Sequence, residues 1–365
     1  MEHLKRIAIL AEDEITPSPA KTLMGILRYR ADRVVAVVDH HNAGRDTGDA
    51  VGQGLGTGIP IVADLDAAMA FEPDAVLVGA EPTGGILSPS WRDMILGAVG
   101  RGLDVINGLH TMLGEDAEIV AEAERTGATL WDVRREPTER YTVEFMPDGK
   151  PVFEIATHRP GTRTVLAVGT DCGIGKMTTM LEIEKEALRR ELAPKFVATG
   201  QIGTMITGRG VSIDAIMVDY VAKIIEEETL AALEESDLVL VEGQGALNHP
   251  RGSGGPLFLM HGSRADSLIL CHDLSRPTIK LLSEFPLPSL ERAIEMHAEG
   301  ASWVWPESRC PVVGISLITR GLSDERAREE IARIEATTGL PATDVIRYPN
   351  GAAKLLDAIL AGPTA

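Results

Sequence analysis

The feature that most restricts what this chain can fold into is a junction near its middle. Thr164 to Val168 reads as a β-strand, Gly169-Thr170-Asp171-Cys172-Gly173-Ile174-Gly175-Lys176-Met177-Thr178 as a glycine loop, and Met180 to Leu188 as a helix. Glycines let the backbone curl so that successive N–H groups face one point. The helix start adds the positive end of its dipole, and Lys176 adds a full charge. A loop built this way binds phosphate, whatever then happens to that phosphate.

The loop departs from the common GxxxxGK[ST] pattern in two ways. Its first glycine lies one residue farther from Gly175, and Met177 stands where Ser or Thr normally holds Mg²⁺. Thr178 and Thr179 can offer a hydroxyl instead, but ordinary nucleotide hydrolysis is put in doubt. Read as GTDCGIGK, the loop resembles that of dethiobiotin synthetase, and Val239-Leu240-Val241-Glu242-Gly243-Gln244-Gly245 resembles that family's acidic strand end. The resemblance implies that Glu242 approaches a metal or the phosphates.

On either side of this junction, short apolar runs alternate with amphipathic stretches. Ile7 to Leu10, Val34 to Val38, Ala75 to Val78, Val105 to Ile106 and Thr129 to Leu130 read as strands; so do Phe196 to Ala198, Leu238 to Val241, Leu268 to Leu270 and Val312 to Ile315. Apolar strands separated by helical patterns imply parallel sheets covered on both faces. The expected fold is α/β: a Rossmann-like parallel-sheet domain at 1–135, a hairpin linker at 136–162 and a P-loop NTPase-like α/β domain at 163–365. The linker carries a Pro147-Asp148-Gly149-Lys150 turn between Tyr141 to Phe145 and Val152 to Ala156. A cleft between the domains is a reasonable place for substrate.

The first domain lacks a nucleotide fingerprint. The turn after its first strand is Ala11-Glu12-Asp13-Glu14-Ile15-Thr16-Pro17, whose three acids repel phosphate. Asp39 suits a ribose hydroxyl or, more ordinarily, a turn cap. Gly52-Gln53-Gly54-Leu55-Gly56-Thr57-Gly58 precedes Pro60 and a short strand, so it reads as a flexible loop able to act as a lid.

With 54 acidic and 35 basic residues, the net charge of −19 argues against nucleic acid or anionic lipid as partner. No run is long and apolar enough to span a bilayer, and Met1 to Arg6 leads into a strand, so a cytoplasmic protein is expected. Cys172, Cys271 and Cys310 are too far apart for a zinc cluster, and no HExxH or CxxC is present, so no metal site is expected. Cys172 serves either as a small residue lining the loop or, alternatively, as an acyl-cysteine nucleophile.

Three polar clusters at predicted strand ends could form an active-site rim. They are Thr199 to Thr204 with Arg209, Asn248-His249-Pro250-Arg251, and His261 to Asp266 with Cys271-His272-Asp273.

Taken whole, the loop with ATGQIGTMITGRG, VEGQGALNHP and HGSRADSLILCHDLSR resembles the DgcN family, bacterial D-glutamate N-acetyltransferases. That resemblance implies transfer of acetyl from acetyl-CoA to the amine of D-glutamate, with Gly169 to Thr178 gripping CoA phosphates. His249, His261, Asp273 and Glu242 become the catalytic candidates. Backbone N–H groups near Gly243 and Gly245 would hold the oxyanion, and Arg209, Gln244, Arg251 and Arg264 the substrate. A homo-oligomer is expected. The competing readings are a ligase or kinase of the dethiobiotin synthetase kind using Mg²⁺-ATP, and a non-enzymatic nucleotide-sensing switch.

Overall fold

The apolar runs form two six-stranded parallel sheets. The structure, a computed structural model, describes residues 6–12, 15, 20–80, 86–142, 144, 145, 147, 151, 152, 158–305 and 310–363. Its compact units are not contiguous in sequence. The first comprises Met1–Glu136 with Gln201–Ala215, and the second Pro137–Gly200 with Ile216–Ala365.

In the first unit, β1 (Ile7–Leu10), β2 (Val34–Val38), β3 (Ile61–Val62), β4 (Ala75–Val78), β5 (Asp104–Asn107) and β6 (Leu130–Asp132) pair in parallel in the order β3-β2-β1-β4-β5-β6. This is the Rossmann order. One face of the pleat, Ala8, Leu10, Val76 and Val78, shares a core with Trp91, Ile95 and Val99 of the helix Pro89–Gly100. Part of the acidic turn after β1 lies outside the described residues, but Glu12 is described, and its Oε2 accepts from His40 N. Asp39 is buried, its oxygens taken by His41 N at 3.0 Å and Asn42 Nδ2 at 2.7 Å, the turn-capping arrangement.

The glycine stretch expected to be flexible is tied down. Gly58 N donates to Asp46 Oδ2 at 2.7 Å, Leu55 is buried, and Gly56 packs against Leu27 and Thr47. Gln201–Ala215 joins this unit through apolar contact and one ion pair: Met205 reaches Gly108, and Asp214 pairs with the buried Arg134.

The second unit opens with the expected hairpin, β7 (Glu144–Phe145) antiparallel to β8 (Pro151–Val152); its Asp148 to Lys150 turn lies outside the described residues. Then β9 (Arg163–Gly169), β10 (Lys195–Val197), β11 (Leu238–Val241), β12 (Ser267–Asp273), β15 (Val312–Ile318) and β16 (Ala342–Thr343) form a parallel sheet in the order β10-β11-β9-β12-β15-β16. An antiparallel hairpin, β13 (Thr278–Ile279) and β14 (Leu282–Pro286), is inserted after β12.

The helix Lys176–Arg189 buries Met180, Ile183 and Ala187, a stripe spaced three and four residues apart. From β9 the chain crosses to β10 on one side, and later fills the other side with β12, β15 and β16. The C-terminal end of β9 therefore lies at the topological switch point, where such sheets place their ligands. No helix among the described residues is long and apolar enough to cross a membrane.

Candidate functional site

The loop between β9 and its helix has the curled form its glycines permit. Gly173 has φ +63° and Gly175, immediately before Lys176, has φ +91°. Side chains rarely adopt these angles, so glycine is required here. Lys176 is buried and its Nζ donates to Asp171 O at 2.8 Å; burial lowers the pKa of its ammonium group.

Asp171 lies wholly inside. Its Oδ1 accepts from Cys172 N at 2.7 Å, and its Oδ2 accepts from Arg276 Nη1 and from Lys280 N, each at 2.9 Å. The carboxylate thus holds the loop and the hairpin that follows β12.

Glu242 stands at the end of β11 next to β9. Its Oε2 accepts from Thr199 N at 2.9 Å and Gly200 N at 3.1 Å, and its Oε1 accepts from Gln244 Nε2 at 3.2 Å. Burial pushes its carboxyl up to about 7, against the pull of those N–H groups and of Lys176. Gly243 is forced by close approach: a Cβ there would lie 1.8 Å from Ala167 O and 2.9 Å from Lys176 Cδ.

The segment after Gly245 folds over the loop, with Asn248 Nδ2 donating to Thr170 O at 2.9 Å. A ring nitrogen of His249, the Cys172 sulfur and an Asp171 carboxylate oxygen lie within 4.8 Å of one another. These atom types could hold a metal ion, although the Asp171 oxygens already accept three hydrogen bonds. His249 Nδ1 accepts from Arg251 N at 3.1 Å, so the proton of the neutral ring sits on Nε2. His249 is therefore a donor at the rim, not the lone pair a base would need.

The loop gathers Glu242, Gln244 and His249, with exposed Arg251 just beyond. Asp273 ends β12 nearby, but it is occupied: Oδ1 accepts from Ser275 N and Oγ, and Oδ2 pairs with Arg276 Nε at 3.2 Å. His261 and Arg264 lie elsewhere. The helix Gly254–Ser263 runs back from β11, so both fall at the N-terminal ends of the strands, a seven-residue strand or roughly 20 Å from the loop. There His261 Nε2 donates to Gly300 O at 3.0 Å, and Arg264 stacks 4.0 Å over Trp305. Arg209 belongs to the first unit and is exposed.

Thr179 cannot replace the hydroxyl lost at Met177. It is buried, with Oγ1 2.7 Å from Ser316 Oγ and in contact with Cys271 Sγ. Sequence reasoning missed Arg276 at the loop, and it named His272 only within a polar cluster, without foreseeing that its Nδ1 lies 2.9 Å from Thr170 Oγ1. Each bonds a residue more than 100 positions away, a pairing no local pattern reveals.

Comparison with known proteins matches both halves. Residues 152–356 match the DUF1611 P-loop domain, and 40–136 the DUF1611 N-terminal Rossmann-like domain, both described as of unknown function. A D-glutamate N-acetyltransferase of Tritonibacter scottomollicae is 35% identical over 342 residues, covering 94% of each chain. A second protein of that name, from a Pseudoalteromonas species, is 35% identical over 74% of this chain and 77% of its own. The crystal structure of a DUF1611 family protein from Anabaena variabilis, also 35% identical, superposes with a TM-score of 0.87 over 98% of this chain and 99% of the other.

Proposed function

Since the chain belongs to the DUF1611 family, we propose that it is an acyltransferase that moves the acetyl group of acetyl-CoA to the amine of D-glutamate. The observation that carries this reading is a fully formed phosphate loop whose Lys176 is followed by Met177, with the nearby Thr179 hydroxyl turned into the core. CoA offers phosphates that such a loop can grip without the hydroxyl that phosphoryl transfer uses to hold Mg²⁺.

In the reaction the substrate amine attacks the thioester carbonyl. A C–N bond forms, the C–S bond breaks, and the thiolate leaves and takes up a proton as CoA thiol. The substrate ammonium must first lose a proton, and Glu242, with a carboxyl pushed up to about 7, has a proton affinity suited to taking it. The oxyanion is held by Nε2–H of His249 and backbone N–H groups near Gly243 and Gly245. Gln244 and the exposed Arg251 are polar groups at this rim that would meet the substrate carboxylates.

The test is thiol release from acetyl-CoA with D-glutamate and with L-glutamate. Release with D-glutamate that falls at least about 100-fold in Glu242→Gln supports the reading, since a general base contributes factors of that order. No release with either enantiomer, together with substrate-dependent ATP turnover, would replace it with the Mg²⁺-ATP ligase or kinase.

A further inference from the structure

Arg276 holds the phosphate loop through three side-chain hydrogen bonds. Its Nη1 donates to Asp171 Oδ2 at 2.9 Å and to Cys172 O at 2.8 Å, and its Nη2 donates to Gly173 O at 3.1 Å. Its Nε faces Asp273 Oδ2 at 3.2 Å. Lys280 N adds a backbone donor to the same Asp171 oxygen.

A phosphate loop works only if its carbonyl oxygens turn outward while its N–H groups turn inward, because one inward carbonyl opposes the anion. Two consecutive loop carbonyls, those of Cys172 and Gly173, are the ones Arg276 holds. Asp171 would otherwise be a buried carboxylate within the loop, and the guanidinium neutralises it.

We propose that Arg276 is the positioning residue of the phosphate site: a guanidinium clamp behind the loop that fixes the inward set of N–H groups without touching the ligand. This rests on the reading that the loop holds phosphate, and it makes the site depend on the fork of the side chain rather than on its charge. Lysine keeps the charge but cannot reach two carbonyls and a carboxylate at once.

The experiment measures calorimetric affinity for inorganic pyrophosphate and for acetyl-CoA in the full chain, with the wild type, Arg276→Ala, Arg276→Lys, Asp171→Asn and Lys176→Ala. It adds steady-state kinetics with D-glutamate. Both Arg276 variants should lose about tenfold or more in affinity for either ligand. In Arg276→Ala the KM for acetyl-CoA should rise while kcat and the KM for D-glutamate stay near wild type, and millimolar guanidinium should restore much of the loss. Adding Asp171→Asn to Arg276→Ala should cost little more than either change alone, because both break one clamp. A folded Arg276→Ala with unchanged pyrophosphate affinity, or full function in Arg276→Lys, would overturn the clamp. Weaker pyrophosphate binding with unchanged acetyl-CoA binding in Lys176→Ala would instead keep the clamp and overturn the assignment of CoA to the loop.

Discussion

β1 and β9 each lead a six-stranded parallel sheet, and in both the ligand-binding position lies beyond the strand's C-terminal end. Beyond β1 the chain presents Glu12, with Asp39 at the end of the neighbouring strand; Glu12, Asp39 and His41 bring side-chain ligand atoms within 4.8 Å of one another. Beyond β9 it presents a glycine loop, a helix start and Lys176. The first arrangement repels phosphate and the second attracts it, on the same architecture. Fold supplies the place, and the few residues at the strand end decide the chemistry.

The two sheets also use glycine differently, and substitution there should give the largest effect. Gly243 lacks room for a methyl group, whereas Gly52 has open space around it and needs glycine only for its φ of +80°. Gly243→Ala should therefore destabilise the second unit by about 3 kcal/mol, the upper range for overpacking, while Gly52→Ala costs about 1 kcal/mol. Urea unfolding of both variants checks this; equal losses would mean that the contact between Gly243 and β9 relaxes freely.

Acid should distinguish the groups buried in the second unit. His297 donates from Nδ1 to Ala293 O at 2.7 Å and is otherwise sealed in, and burial lowers its pKa from 6.5 to about 4. Its contribution to stability is complete above pH 6.5 and is lost as pH falls toward 4, on the order of 3 kcal/mol. Glu242 works in the opposite sense. Its raised carboxyl stabilises the fold below pH 4.5, and that contribution is lost as pH rises through about 7. Relative to wild type, His297→Gln should therefore gain stability as pH falls from 6.5 to 4, and Glu242→Gln should gain it as pH rises from 4.5 to 7. Parallel curves for variant and wild type would mean that these groups titrate as they do in the unfolded chain.

The binding comparison itself is sharpened by one change in each sheet. Lys176→Ala should weaken acetyl-CoA binding by about 1.5 to 3 kcal/mol, the range for a charge-assisted hydrogen bond. The fold should survive, because this lysine contributes little to the apolar core. Glu12→Gln, at the corresponding place in the first sheet, should leave that affinity unchanged. Calorimetry on both decides it, and the reverse result would move the cofactor to the first unit.

The long strands and the loop were legible because each is signalled locally. Ile7–Leu10 and Leu238–Val241 are unbroken apolar runs, and the order of strand, glycines, lysine and helix has few other structural uses. The two-residue edge strand Ala342–Thr343 was not legible, since two residues carry no periodicity. Nor was the return of Gln201–Ala215 to the first unit, which depends on contacts with Gly108, Arg30 and Arg134 far away in sequence. The third polar cluster misled for a related reason. Its histidines and Arg264 look alike in sequence, but Asp273 and Arg264 fall at opposite ends of β12, and only the topology says which end carries the loop.

The smallest expected effect is that of removing divalent metal, and it bears most directly on how the loop after β9 is used. A phosphoryl-transfer loop needs a hydroxyl beside the lysine to hold Mg²⁺, and here that position is Met177. Of the two candidate substitutes, Thr179 faces Ser316 and Cys271 in the core, which leaves only the half-buried Thr178, and the Thr170 hydroxyl is bonded to His272 Nδ1. Thioester aminolysis makes no demand on Mg²⁺, because the thiolate leaves readily and the oxyanion can be met by N–H donors. Thiol release with D-glutamate should therefore continue unchanged in excess EDTA. Met177→Thr should leave acetyl transfer near wild type while adding affinity for Mg²⁺-ATP. Activity that disappears in EDTA and returns with Mg²⁺ would show that the loop handles a metal-bound phosphate after all. The contrast between the two sheets would then lie in phosphoryl chemistry rather than in grip alone.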